Sequence, residues 1–141
     1  MSASPIRTQR TGGVSGATWA ALAGLLVVPV MALSRLAPGI DWRLLAGVPL
    51  AVSFFTWLAC WSDKRRAEAG AWRIPEATLH LGELAGGWPG AFLAQRQFRH
   101  KTAKISYQAV FWLIVLLHEF MALDFVLGWK LTKGLGQLFK A

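Results

Sequence analysis

The sequence predicts an all-α, polytopic integral membrane protein with three transmembrane helices and a re-entrant or interfacial helical hairpin. Hydrophobic residues make up 55% of the 141 residues, and the mean hydropathy is +0.42. Three long apolar runs are present, and a charged segment broken by Gly and Pro separates the second run from the third. A soluble domain of this size has too little interior to bury so much apolar surface, so lipid is the expected solvent.

The first two apolar runs, residues 17–34 and 44–61, contain no charged residue. Each is long enough to cross about 30 Å of hydrocarbon as a helix. A signal peptide is the alternative for the first run, because Arg7 and Arg10 precede it. The long polar leader and the lack of a small-residue cleavage site favour a retained transmembrane helix.

The segment 75–99 predicts two half-length helices that are broken at residues 86–90, where the sequence reads Gly-Gly-Trp-Pro-Gly. About ten helical residues span half a bilayer, so such a hairpin could enter the membrane and return to the same side. A fourth full crossing and a flat interfacial helix are the alternatives. The third and longest run, residues 105–127, predicts the last transmembrane helix.

The domain organisation follows from these runs. We expect a disordered cytoplasmic tail over residues 1–16, a membrane domain over 17–129 and a basic C-terminal tail over 130–141. Lys and Arg cluster beside the runs, which favours a cytoplasmic N-terminus. The net charge of +8 makes anionic phospholipid headgroups the expected partners. A homo-oligomer or a membrane protein partner is also open, whereas no pattern typical of nucleic-acid binding is present.

Two sets of ionisable residues could carry chemistry inside the membrane. Glu76, His80 and Glu83 are spaced i, i+4, i+7 and could offer a divalent metal one face of a helix. One helix seldom supplies a whole site, so we favour a structural role for them and predict no metal or cofactor. His118 and Glu119 lie about 20 Å into the third run, where either a functional role or an internal ion pair is expected.

The Gly/Pro break and the basic clusters are the other candidate sites. Half-helix ends at residues 86–90 could present backbone groups to an ion, although a tight packing turn is the favoured interpretation. Arg73 and Arg99 stand at predicted helix boundaries and could grip a phosphate with their guanidinium groups. The candidate functional cluster is Asp63, Lys64, Arg73, Pro75, Glu76, His80, Gly86, Gly87, Pro89, Gly90, Arg99, His100, Lys101 and Lys104.

These residues, together with Ala67, Leu79 and Trp88, give the segment between Asp63 and Lys104 a specific pattern. The segment resembles the core of a bacterial membrane family, domain-of-unknown-function family 1294. The resemblance implies a location in the bacterial inner membrane and implies no established activity.

The favoured function is therefore that of a small, non-catalytic inner-membrane module whose cytoplasmic basic face binds anionic lipid or a protein partner. The basic residues form clusters, but no coherent set of catalytic residues accompanies them. An enzyme is therefore the less favoured class. Two alternatives remain: a membrane-embedded enzyme that acts on a phosphorylated or lipid substrate, and an oligomeric carrier of an ion or small solute.

Overall fold

The computed structural model describes residues 13–99 and 101–140 of the chain. Every regular element in these residues is helical, which confirms the predicted all-α class. The α-helices are α1 (Gly16–Leu36), α2 (Trp42–Glu68), α3 (Glu76–Gly82), α4 (Trp88–Phe98), α5 (Ile105–Val126) and α6 (Lys130–Leu138). A 3-10 turn (Ala37–Gly39) follows α1, and a π-helical turn (Glu83–Gly87) joins α3 to α4.

Three helices are long and apolar enough to cross a membrane, as predicted. They are α1 with its following turn, α2 and α5, with 24, 27 and 22 residues and a mean hydropathy of 2.0, 1.8 and 2.0. Large apolar side chains such as Leu50, Phe55 and Leu113 are about two-thirds exposed on their surfaces. Apolar surface this extensive is rare on a soluble monomer and is the normal exterior of a protein in lipid.

Two helical segments extend beyond the predicted boundaries. Helix α2 continues past residue 61 to Glu68, because the charged sequence after the apolar run consists largely of good helix formers. Arg65 and Arg66 in its last turn also complement the negative end of the helix dipole. The predicted basic tail contains α6, whereas residues 1–12, the greater part of the predicted disordered tail, lie outside the described residues.

The spanning helices alternate in direction. Arg35, near the end of α1, donates from Nη1 to the carbonyl oxygen of Val126 at 2.8 Å, so α1 and α5 end together. At the opposite end, residues at the start of α1 and at the end of α2 line one cleft. We call the end of the bundle where α2 finishes the basic end, and the end that holds Arg35 the far end.

Helices α3 and α4 form a hairpin. Glu76 at the start of α3 lies 2.6 Å from Lys104 and 3.7 Å from Lys101, both of which follow α4. The hairpin therefore enters and leaves at the basic end. A fourth crossing would separate these residues by the thickness of the hydrocarbon, about 30 Å, so the structure has a hairpin with both ends on one side rather than a fourth crossing.

The break in the hairpin is centred on one glycine. Gly86 adopts φ +105°, a conformation that side-chain-bearing residues avoid, and the chain reverses there. Pro89 lies in the first turn of α4, where its missing amide leaves no helical hydrogen bond unmade. The predicted break over residues 86–90 is thus confined to its first residues, and Gly90 belongs to α4.

The hairpin packs directly on the backbone of α2. A Cβ atom built on Gly90 would lie 1.8 Å from the carbonyl oxygen of Ser53, so only glycine allows this approach. Leu79 and Phe92 from the hairpin and Tyr107 and Phe111 from α5 are buried in the same core. The best-packed part of the molecule therefore surrounds the hairpin, near the basic end.

Candidate functional site

Asp63 organises the basic end. Its carboxylate is fully buried in the last turns of α2. It accepts hydrogen bonds from the backbone amide of Ile74 at 2.9 Å and from Nη2 of Arg73 at 3.1 Å. Nζ of Lys101 lies 3.2 Å from the same carboxylate. A buried charge needs hydrogen bonds and opposite charges around it. These partners come from the loop before α3 and the loop after α4, so Asp63 fastens both loops to α2.

Glu76 closes the mouth of the hairpin. Nζ of Lys104 donates to Oε1 of Glu76 at 2.6 Å, and Lys101 lies 3.7 Å from the same oxygen. The hydrogen bond from Lys104 holds the pKa of Glu76 below its usual range; partial burial opposes this effect, and the charge of Lys101 reinforces it. Glu76 is therefore an ionised partner of two lysines at neutral pH.

A second carboxylate, Glu83, lies deeper in the hairpin and is fully buried. Its Oε1 accepts a hydrogen bond from the hydroxyl of Tyr107 at 2.6 Å, and its Oε2 lies 2.6 Å from Nδ1 of His80. The rings of His80 and Tyr107 stack with centroids 4.3 Å apart. Nζ of Lys101 lies 4.8 Å from the centroid of the Tyr107 ring. Polar and aromatic contacts thus run from the surface at Glu76 to the buried Glu83.

The stripe of Glu76, His80 and Glu83 does not converge on one point. Glu76 turns to the lysines that follow α4, while His80 and Glu83 pair with each other. The π-helical turn begins at Glu83 and changes the angular spacing that a regular helix would give. In the described part of the chain, no three His, Cys, Asp or Glu side chains are grouped as metal ligands would be.

Two of the three glycines of the break contact protein, whereas a Cβ on Gly86 would meet nothing within 4 Å. A Cβ on Gly87 would lie 2.0 Å from the hydroxyl oxygen of Thr56 in α2, and Gly90 meets Ser53 as described above. Gly87 and Gly90 are both buried. These contacts favour the packing interpretation of the break over an ion site made of half-helix ends.

A cleft of about 760 Å³ opens at the basic end between α1, α2 and α4. Four cationic residues and one carboxylate, Glu68, line it. Glu68 is 3.6 Å from Nζ of Lys64, which also donates to the carbonyl oxygen of Phe98. The other charged lining residues are Arg65, Arg96 and Arg99. The cleft therefore carries a net positive charge.

Aromatic rings support two of the guanidinium groups in this cleft. Cζ of Arg65 lies 4.8 Å from the centroid of Trp61, and Cζ of Arg96 lies 3.5 Å from that of Phe92. Arg99 is the C-cap residue of α4 and adopts a left-handed conformation with φ +49°. Nη1 of Arg96 also donates to the carbonyl oxygen of Phe92 at 3.4 Å, so the other N–H groups of Arg96 and those of Arg65 are the donors available to a bound anion.

The two arginines singled out from the sequence line different clefts. Arg99 lines the large cleft, whereas Arg73 lines a second cleft of about 440 Å³ with Trp72, Pro75 and Lys101. Arg73 is also engaged by Asp63 at 3.1 Å. The structure therefore does not bring Arg73 and Arg99 together as one phosphate clamp. His100, another predicted candidate, lies outside the described residues.

Sequence reasoning missed the roles of Tyr107, Arg65 and Arg96. Tyr107 is the only tyrosine of the chain and stands in an apolar run, where a lone hydroxyl needs a buried partner. Its partner, Glu83, is distant in sequence, so the pairing has no local signature. Arg65 and Arg96 belong to basic clusters that are visible in the sequence, but only the fold brings their helices to one cleft.

The intramembrane polar residues of α5 are separate from both clefts. Nδ1 of His118 lies 2.9 Å from the carbonyl oxygen of Ile114, one turn earlier in the same helix. Glu119 is partly buried next to it. Asp124, in the last turn of α5, is fully buried, and its carboxylate caps the first turn of α6.

Comparison with known proteins bears on the segment that forms this site. Residues 53–107 match the family described as protein of unknown function (DUF1294). The uncharacterized protein YsdA of Bacillus subtilis (strain 168) is 41% identical over 46 residues, which are 33% of this chain and 52% of that protein. The chain thus spans about half the length of the curated relative that it matches. No solved structure matches it.

The matched segment begins in the middle of α2, contains the whole hairpin and ends at Tyr107 in α5. It includes the three carboxylates of this site, Asp63, Glu76 and Glu83, and also Lys101, which contacts Asp63 and the ring of Tyr107. The resemblance indicated by the segment from Asp63 to Lys104 is therefore confirmed: over residues 53–107, the chain matches the DUF1294 family.

Proposed function

We propose that the protein is a non-catalytic membrane module whose basic end binds the phosphate group of an anionic lipid. The observation that carries this proposal is the charge of the large cleft, in which Lys64, Arg65, Arg96 and Arg99 face a single carboxylate. Anionic headgroups are attracted to such clusters next to membrane-spanning helices. The positive-inside tendency makes the cytoplasmic leaflet the source of the lipid.

The arrangement of donors in the cleft supports recognition of a phosphate. Guanidinium groups bind phosphate oxygens through paired N–H groups, and aromatic stacking of Arg65 and Arg96 orients those groups in advance. The hydroxyl-bearing residues Thr18 and Thr102 also line the cleft. A volume of about 760 Å³ lies within the range of roughly 300–1,000 Å³ that is typical of sites for small molecules.

The walls of the cleft also suit the junction between a headgroup and its acyl chains. Trp61 and Phe98 supply apolar surface beside the charged residues. Trp61 is partly exposed at the end of the apolar run of α2, the level at which tryptophan is enriched in membrane proteins. A phospholipid could therefore place its phosphate among the arginines and leave its chains along the outer surface of the bundle.

Native mass spectrometry of the purified protein in mild detergent, titrated with phosphatidylglycerol, tests the proposal. We expect Arg99→Gln and Arg65→Gln each to reduce lipid retention about fivefold, because one arginine near an anionic lipid contributes about 1 kcal/mol. Arg43→Gln is the matched control, since Arg43 lies at the start of α2 and therefore at the far end.

Equal lipid retention by wild type and by the Arg65→Gln, Arg99→Gln double variant would overturn the proposal. An equal loss of lipid retention in the Arg43→Gln control would also count against the proposal. The loss would then follow from the lower net charge of the protein and not from the cleft. Phosphatidylcholine, which has no net charge, serves as the lipid control and is expected to bind all the variants alike.

A further inference from the structure

Helix α6 has two different faces. Leu131, Leu135 and Leu138 are spaced i, i+4, i+7 and share one face, while Lys133 and Gln137 point to the opposite side. From the sequence, this basic tail is expected either to form a surface helix or to fray. The structure has a short amphipathic helix at the far end of the bundle, directly after the last spanning helix.

The apolar face of α6 is not covered by the described part of the chain. Leu135 is 48% exposed and Leu138 is 76% exposed, and the adjoining Phe139 is 90% exposed. Isolated helices of this length are marginal in water, because the cost of nucleation is spread over few hydrogen bonds. The helix therefore needs stabilisation from a cap at its start and from a contact along its apolar face.

Asp124 supplies the cap and fixes the start of α6. Its carboxylate accepts hydrogen bonds from the backbone amides of Leu131 at 2.9 Å and Thr132 at 3.3 Å, and also from the hydroxyl of Thr132. Asp124 lies in the last turn of α5, which is one of the membrane-spanning candidates. The first turn of α6 is therefore held next to the end of a spanning helix, at the level of the membrane surface.

The charge of α6 and its flanking residues indicates what covers the leucine face of the helix. Residues 125–140 contain Lys130, Lys133 and Lys140 and no Asp or Glu. A basic, amphipathic helix that continues from a membrane span is complementary to anionic headgroups and to the acyl chains beneath them. A second copy of the chain fits less well, because three leucines offer far less than the roughly 1,200–2,000 Å² that a stable protein interface buries.

We propose that α6 lies flat in the membrane interface at the far end, with its leucine face toward the acyl chains and its lysines among anionic headgroups. In this position, Asp124 is a positioning residue that sets the angle between α5 and α6. The two ends of the bundle would then contact lipid differently: the basic end through a cleft, and the far end through a surface helix.

Site-directed spin labelling of the full chain in lipid vesicles tests this placement. Single cysteines are introduced at Leu135 and Leu138 on the apolar face and at Lys133 and Gln137 on the polar face. In vesicles that contain phosphatidylglycerol, we expect the ratio of oxygen to nickel-chelate accessibility to be severalfold higher at 135 and 138. Cys60 is buried, so the unmodified protein serves as the control for background labelling.

Equal accessibility at all four positions would show that α6 stands in water and would overturn the proposal. Dipolar broadening of the labels at 135 and 138 that increases with protein density would assign the face to a second copy, which also overturns it. Asp124→Ala is expected to lower the accessibility ratio at 138 toward that at 137, because the helix loses its fixed start. A cleft that fails to bind lipid would not affect these measurements, since it lies at the other end of the bundle.

Discussion

Glu83 is a buried carboxylate whose two oxygens are each 2.6 Å from a polar side chain of the hairpin or α5. An ionised carboxylate can only accept hydrogen bonds, so Nδ1 of His80 must carry a proton when Glu83 is charged. The Tyr107 hydroxyl is the other donor, and its ring also stacks on His80. The network therefore links the hairpin to α5 through one carboxyl group and its two polar partners.

Removal of the Tyr107 hydroxyl should destabilise the fold. Tyr107→Phe keeps the ring but deprives a buried carboxylate of a 2.6 Å hydrogen bond. An unsatisfied buried group of this kind costs about 1–3 kcal/mol. We expect a lower midpoint of thermal unfolding in detergent, with the helical content of the folded protein unchanged.

Glu83→Gln provides the companion variant, because the amide has nearly the same shape and no charge. If the hydroxyl and the carboxylate act as a pair, the free-energy change of the double variant should differ from the sum of the single changes by about 0.5–3 kcal/mol. Additive changes would contradict the contact between Tyr107 and Glu83.

The hairpin is the element on which the basic end depends. It returns because Gly86 reverses the chain, and it fits against α2 because Gly90 permits contact with the backbone at Ser53. The mouth of the hairpin is then closed by Asp63, Glu76 and Lys101. A change in the packing of α4 on α2 would consequently disturb the cleft and the charged network together.

Gly90→Ala should be strongly destabilising. The added methyl would meet the carbonyl oxygen of Ser53 at 1.8 Å, and a helix backbone cannot move away without separating α2 from α4. Overpacking of this kind costs typically about 1–3 kcal/mol, and a lower yield of folded protein should accompany it. Thermal unfolding in detergent measures the loss.

Gly134→Ala is the matched control for this substitution. Gly134 lies in α6, where a Cβ would meet nothing within 4 Å. Alanine is the better helix former by about 0.5–1 kcal/mol, so this variant should be at least as stable as wild type. A Gly90→Ala variant that matches the control would show that α4 does not contact α2 as described.

Helices could be predicted from the sequence where the pattern that specifies them lies within one segment of the chain. Uncharged runs such as residues 17–34 and 44–61 predict spanning helices because length and hydropathy are properties of one segment. The extension of α2 to Glu68 is also a local property, but it reflects helix propensity, which hydropathy does not detect. The cap that Asp124 gives α6, by contrast, depends on a contact that forms only in the folded chain. The pairing of Glu83 with Tyr107 is of the same kind, as it joins separate helices.

The whole molecule has a polarity along its long axis. The loops on both sides of the hairpin, the start of α1 and the end of α2 meet at the basic end, which also holds the arginine-lined cleft. The turn after α1 and helix α6 lie at the far end. Since cytoplasmic loops carry an excess of Lys and Arg, we expect the basic end to face the cytoplasm.

This polarity predicts the labelling of single cysteines by a membrane-impermeant thiol reagent in oriented vesicles. Ala71→Cys and Thr102→Cys flank the hairpin at exposed positions, so both should react from the cytoplasmic side alone. Gly39→Cys and Gly136→Cys lie at the far end and should react from the opposite side alone. Cys60 is buried and should stay unlabelled in intact protein.

Labelling of positions 71 and 102 from opposite sides would mean that residues 76–98 cross the membrane, because only a full crossing separates two flanking loops by the thickness of the bilayer. Labelling of both from the far side would instead keep the hairpin and reverse the orientation, and the lipid cleft would then face the outer leaflet.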